Sequence, residues 1–260
     1  MKTVKSADGT TIAYDRTGSG ESLILIGGSF SERSHPTMTQ LAEELSQHFT
    51  VYNYDRRGRG DSGDADTYAV EREIEDLAAL IAEAGGSAKV FGLSAGGALA
   101  LKAAASGLAI TKVAVYDPPY MINGAGPQPP ADLTEKLVEL SAENRGDAVE
   151  FFMVNGMGAP AEAVAGMRHA PFWSGLEALA HTLPYDTAIM GDFSLPAEEL
   201  ASVKAPAFIV HGADADQWLH QSANAVAETV PDATCHALPG QGIAVEPAVL
   251  APELKNFFAN

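Results

Sequence analysis

The chain contains one cysteine, Cys235, so an internal disulfide is excluded and stability must come from packing alone. A lone thiol suits a reducing compartment. Basic residues are scarce: 16 Lys and Arg stand against 34 Asp and Glu, a net charge of −18. That excess argues against nucleic-acid and anionic-membrane partners, because either surface would repel the chain rather than release counterions to it. No apolar run reaches the length that crosses a bilayer, and residues 1–8 lack the apolar core of a secretory signal. Metal-ligand spacings, phosphate loops and cofactor-attachment motifs are missing too. These absences predict a soluble, cytoplasmic protein that works without a cofactor on a small-molecule substrate.

What is present is an ordinary globular composition: 260 residues, 46% apolar and 19% charged, enough for a sizeable core. Strand-like and helix-like segments alternate, which predicts a mostly parallel sheet flanked by helices. Strands are expected at Lys2–Lys5, Thr50–Tyr54 and residues 11–15, 23–26, 90–91, 113–116, 207–210 and 234–238. Between the fourth and fifth strands, Val70, Ile74, Leu77 and Ile81 recur at helical spacing. Asp66 or Thr67 is placed to cap that helix, and Gly85-Gly86 to end it. From residue 120 to 200 helical patterns continue but strand patterns stop. The expected organisation is a core of residues 1–119 and 201–260, with residues 120–200 inserted as a helical lid between the sixth and seventh strands.

Gly92-Leu93-Ser94-Ala95-Gly96 matches G-x-S-x-G and falls between a buried strand and an alanine-rich helix. Such a turn is so tight that residues flanking the serine must be small. It lifts the Ser94 hydroxyl above the sheet and aims the Ala95 N–H at any oxyanion nearby. Asp55-Arg56-Arg57-Gly58-Arg59-Gly60-Asp61-Ser62 is similar to the D-x-R-G-x-G-x-S loop of the α/β-hydrolase superfamily, and Gly27-Gly28-Ser29-Phe30 sits where that superfamily has its oxyanion loop. The whole chain resembles this superfamily, with the lid only generically similar. The resemblance implies an α/β-hydrolase fold, Ser94 as nucleophile, and an oxyanion site drawn from Gly28, Ser29, Phe30 and Ala95. Gly58 to Gly63 also spells the dinucleotide fingerprint G-x-G-x-x-G, but Asp64-Ala65-Asp66 separates it from any helix and would repel a pyrophosphate.

The superfamily's order is serine, acid, histidine. Asp216 and Asp214 follow the seventh strand, where the acid usually lies, and Asp117 ends the sixth, where some members place it. The base belongs in the last loop, and there the resemblance puts Ile243 at the position of histidine. Isoleucine accepts no proton. His35, after the oxyanion loop, is the first candidate for a substitute base. The insertion carries Phe151, Phe152, Met153, Met157, Phe172, Trp173 and Met190, with Tyr120 and Met121 at its entry, and an inner surface of such residues implies a mostly apolar ligand such as an ester, lactone or polycyclic metabolite. Three functions are open on this reading: a serine hydrolase of impaired triad, a non-hydrolytic cofactor-free lyase, isomerase or cyclase, and a catalytically silent binding protein.

Overall fold

The computed structural model describes all residues, 1–260. Eight strands form one sheet: β1 (Lys2–Lys5), β2 (Thr11–Gly18), β3 (Ser22–Ile26), β4 (Thr50–Tyr54), β5 (Ala88–Leu93), β6 (Ile110–Tyr116), β7 (Ala207–Gly212) and β8 (Ala233–Leu238). Their spatial order is β1-β2-β4-β3-β5-β6-β7-β8. β2 runs antiparallel to β1 and to β4, and every pairing from β4 to β8 is parallel. The central strands read as continuous apolar runs because helices cover both faces, and Leu23, Ile24, Val90, Phe91, Val113 and Val115 are fully buried.

One face is packed by α1 (Pro36–Ser46), through Leu41 and Leu45, and by α11 (Pro247–Ala259), through Leu250, Leu254 and Phe258. The other holds α2 (Val70–Glu83), through Leu77, Leu80 and Ile81, and α3 (Ala95–Ala105). Nine of the eleven residues of α3 are buried, and its small side chains let it lie close on the strands. α2 begins where the apolar spacing predicts, but neither Asp66 nor Thr67 caps it. Ala69 is the N-cap and makes no side-chain cap bond. Tyr68 fixes the entry instead: its ring stacks on Tyr185 at 4.0 Å and its hydroxyl donates to Glu73 at 2.9 Å.

Between β6 and β7 the chain is helical, with no strand. α4 (Leu133–Glu143), α5 (Arg145–Phe151), a π-helical turn (Phe152–Gly156), α6 (Ala161–Met167), α7 (Trp173–Leu179), α8 (Leu183–Met190) and α9 (Ala197–Ala201) follow one another. α10 (Gln217–Thr229) joins β7 to β8. No helix is long and apolar enough to cross a membrane. All strands from β3 to β8 point their carboxyl ends the same way, toward the edge where a parallel sheet binds ligands.

Candidate active site

Ser94 sits at the junction of β5 and α3 with φ 52° and ψ −120°, a conformation that L-residues avoid. Strain of this kind, about 1–3 kcal/mol, persists only where the surroundings over-determine it. Here they do. The Ser94 N–H donates to Tyr116 O at 2.8 Å, and Ser94 O accepts from Gly97 N and Ala98 N at 2.8 and 3.1 Å. The turn also forces close approach around it. A Cβ on Gly96 would lie 2.6 Å from Ile26 O, and one on Gly28 would lie 2.7 Å from Leu93 O.

Ser94, Ala95, Gly28, Ser29, Asp117 and Ile243 all line one cavity of about 250 Å³. Its walls are largely apolar: Leu93, Phe152, Met157, Met190, Phe193 and Trp218 contribute. The insertion supplies Phe152, Met157 and Met190 as its composition suggested, whereas Tyr120 and Trp173 are core and Phe172 faces solvent. The backbone N–H groups of Ser29, Phe30 and Ala95 donate to no backbone carbonyl. Phe30 stands behind Ser29 rather than in the cavity wall, with φ 57° and its ring edge-on to Phe152 at 5.6 Å.

The Gly27–Phe30 loop is braced by a buried ionic network. Arg59 donates to Gly28 O at 2.6 Å and to Ser31 O at 3.1 Å, and its other nitrogen donates to both oxygens of Asp186 at 2.9 Å. Asp186 also accepts from Arg56 at 2.6 Å, and Arg56 grips Glu73 through two bonds of 2.7 and 2.6 Å. Burial alone would raise the Asp186 carboxyl, but Arg59 and Arg56 override it and hold the group below the usual carboxylate range. Asp186 belongs to α8 and lines the cavity, so the insertion reaches the Gly27–Phe30 loop through this carboxylate and Arg59, as well as through Phe152 against Phe30. Sequence reasoning missed Asp186. The available signal was three arginines crowded into residues 56–59 of a base-poor chain, with Glu73 and Asp76 one turn apart on α2 to receive two of them.

The acid candidates separate sharply. Asp214 and Asp216 are exposed and outside the cavity, Asp216 serving as the N-cap residue of α10. Asp117 is 2% exposed and lies in the cavity wall at the end of β6. The register pairs Leu93 with Tyr116, so Ser94 and Asp117 leave adjacent strands at the same level. Asp117 Oδ1 accepts from Gly212 N at 3.3 Å, while the buried Oδ2 has no partner. Burial pushes this carboxyl up to about 7, with the Gly212 N–H pulling the other way.

None of the seven histidines lines the cavity. His35 is exposed at the start of α1, and although partial burial lowers its ring below the ordinary value, it has no place in the wall. His220 Nε2 donates to Gly212 O at 2.8 Å, His211 packs beside it, and His181 bonds Gly58 O. Ile243 does face the cavity, from the loop after β8, with 57% of its surface exposed.

A family model described as the alpha/beta hydrolase family matches residues 23–251. The chain belongs to this family. An alpha/beta hydrolase from Sphaerobacter thermophilus DSM 20745 is 50% identical over 99% of this chain and 100% of its own, with a TM-score of 0.94. Two more distant alpha/beta hydrolase folds are the enol-lactonase from Burkholderia xenovorans LB400 (20% identity, 99% and 100% covered, TM-score 0.75) and the esterase RhEst1 from Rhodococcus sp. ECU1013 (19%, 100% and 98%, TM-score 0.73). At those identities the likeness is one of fold. The comparison with curated proteins finds no match.

Proposed function

We propose that this chain is a cofactor-free enzyme of serine ester or lactone hydrolase descent, acting on a small, mostly apolar molecule, with a triad impaired at Ile243. The observation that carries the reading is Ser94, held at a strained φ of 52° in the wall of an apolar cavity whose neighbouring Ser29 and Ala95 N–H groups are unspent. Such a serine is aimed to attack an acyl carbon while the N–H groups receive the developing oxyanion. Asp117 is the acid this reading selects, since it alone of the three candidates lines the cavity. With the insertion as a lid over this edge, water would be excluded from the acyl carbon. Without a proton acceptor, however, the Ser94 hydroxyl remains a weak nucleophile.

The second reading is a non-hydrolytic enzyme on the same scaffold. It is favoured by Asp117, which at about 7 holds a proton to donate near neutral pH and has a free oxygen to donate it from. A ligand bound without product would leave the binding-protein reading. The experiment compares the chain with its Ile243→His variant for covalent labelling by a fluorophosphonate and for hydrolysis of a short aryl ester. Gain of both by the variant, and their loss on adding Ser94→Ala, supports hydrolase descent. No gain in either would refute it.

A further inference from the structure

The cavity contains two ionisable side chains, Asp117 and Asp186. Asp186 is saturated by Arg56 and Arg59. Asp117 Oδ2 is therefore a buried carboxyl oxygen with no partner, in a wall that is otherwise mostly apolar. Buried polar atoms are normally bonded, and one that is not bonded within the protein marks where an occupant supplies the missing group. The same lining includes Ile243, its most exposed large side chain, which offers no polar atom.

The demands on the occupant follow from its two neighbours. Asp117, bonded through Oδ1 to the Gly212 N–H of β7, leaves Oδ2 to accept an N–H in its ionised form. The Ser94 hydroxyl, one strand away at the same level, asks for a lone pair that can take its proton. A neutral azole has both, one ring nitrogen donating and the other accepting on opposite sides of a flat, largely apolar ring. A simple amine has no such opposed pair, and a carboxylate would repel Asp117.

We propose that the space between Ser94 and Asp117 is a binding site for a neutral azole, arriving free or as part of the acyl substrate, which completes the proton relay that Ile243 cannot. This rests on Ser94 being the nucleophile. As Oγ bonds to the acyl carbon, the azole's free nitrogen takes the hydroxyl proton and its N–H shares charge with Asp117. The oxyanion then collapses, the ester C–O bond breaks, and the azolium returns the proton to the leaving alkoxide. Water repeats the sequence on the acyl-enzyme, so the azole is regenerated and nothing is oxidised or reduced.

The test follows fluorophosphonate labelling of Ser94, in which fluoride leaves phosphorus and the azole takes the serine proton. Imidazole is titrated into the full-length protein beside 1-methylimidazole, an equally basic ring with no N–H. We expect imidazole to accelerate labelling saturably, by about tenfold or more, since a diffusible base recovers only part of what a tethered one gives. Asp117→Asn should abolish the gain, and 1-methylimidazole should give little. Equal acceleration by the two azoles, or acceleration that never saturates, overturns the site, and this comparison needs no variant to fold. If Ile243→His labels but imidazole does nothing to the parent, the site fails while the nucleophile assignment stands. If neither labels, the nucleophile assignment itself fails. A parent that labels as fast as Ile243→His with no azole overturns the proposal as well. The two sources are told apart by ethyl 3-(imidazol-4-yl)propanoate and ethyl 3-phenylpropanoate without added azole: turnover of the first alone identifies a substrate that brings its own base, and turnover of neither, with labelling rescued, identifies a free azole.

Discussion

The two sides of the cavity are built to different standards. On the side of Ser94 and the Gly27–Phe30 loop the backbone is held at several points. Ser94 is locked by bonds to Tyr116, Gly97 and Ala98, and the loop carbonyls of Gly28 and Ser31 are gripped by Arg59. Arg59 in turn is anchored to Asp186 of α8. On the opposite side Ile243 is largely exposed, Asp117 keeps an oxygen without a partner, and Asp214 and Asp216 point to water. On the proposed reading, the half of the site around Ser94 is fixed by many bonds and the half around Asp117 and Ile243 lacks a proton acceptor. Stabilising a charge and moving a proton are separable demands, and on the proposed reading the two sides of this cavity meet them unequally.

The comparison is broken most drastically by Ile243→His. Restoring a tethered base should raise fluorophosphonate labelling by several orders of magnitude, since removing a triad histidine costs roughly 10⁶-fold in kcat and leaves only about 10³–10⁴-fold over water. An unchanged rate would refute hydrolase descent, because Ser94 would then not be a nucleophile that a base at residue 243 can serve.

Asp117 gives the next effect, in stability. Its carboxyl moves from 3.8 up to about 7 on folding. Between those values the unfolded chain has released a proton that the folded chain still holds, so stability falls as pH rises through that window. Three units at about 1.4 kcal/mol each amount to a loss on the order of 4 kcal/mol. Urea unfolding at pH 4 and pH 8 should therefore show Asp117→Asn gaining on the parent at the higher pH. Parallel curves for the two proteins would show that no such buried acid exists.

The braced side is tested by Asp186→Asn. Removing one charge from the network leaves Arg59 without an ionic partner in the interior, at a cost of about 3 kcal/mol. A lowered Tm is expected, together with slower labelling when the change is added to Ile243→His, because the Gly28 and Ser31 carbonyls lose their anchored donor. If Tm falls and labelling does not, the network supports the fold without positioning the oxyanion loop. The smallest effects belong to Asp214→Asn and Asp216→Asn, each expected within about 0.5 kcal/mol of the parent and without influence on the reactivity of Ile243→His. A tenfold loss from either would return the acid to the loop after β7.

How much of this was legible beforehand depended on sequence distance. The elbow was readable because five consecutive residues carry it, and the turn's steric demands are written in its glycines. The sheet was readable from its apolar runs, and α2 from its spacing, although its cap was not: Tyr68 replaces Asp66 and Thr67 through a stack on Tyr185. The acid was not readable, because Asp117, Asp214 and Asp216 all follow strands and differ only in which way the chain turns next. Nor was the role of Asp186, whose partners Arg56 and Arg59 lie far away in the chain.

The sequence by itself determined the family, the strand order's raw material, the position of Ser94 and the presence of Ile243 in the last loop, since each is a local pattern that short-range sterics and periodicity enforce. Only the tertiary structure decided that Asp117 faces the cavity while its rivals face water, that no histidine reaches Ser94, and that the insertion holds the Gly27–Phe30 loop through Asp186. Those facts depend on which strand ends lie side by side and which charges are buried together, and burial is a property of the packed whole rather than of any segment.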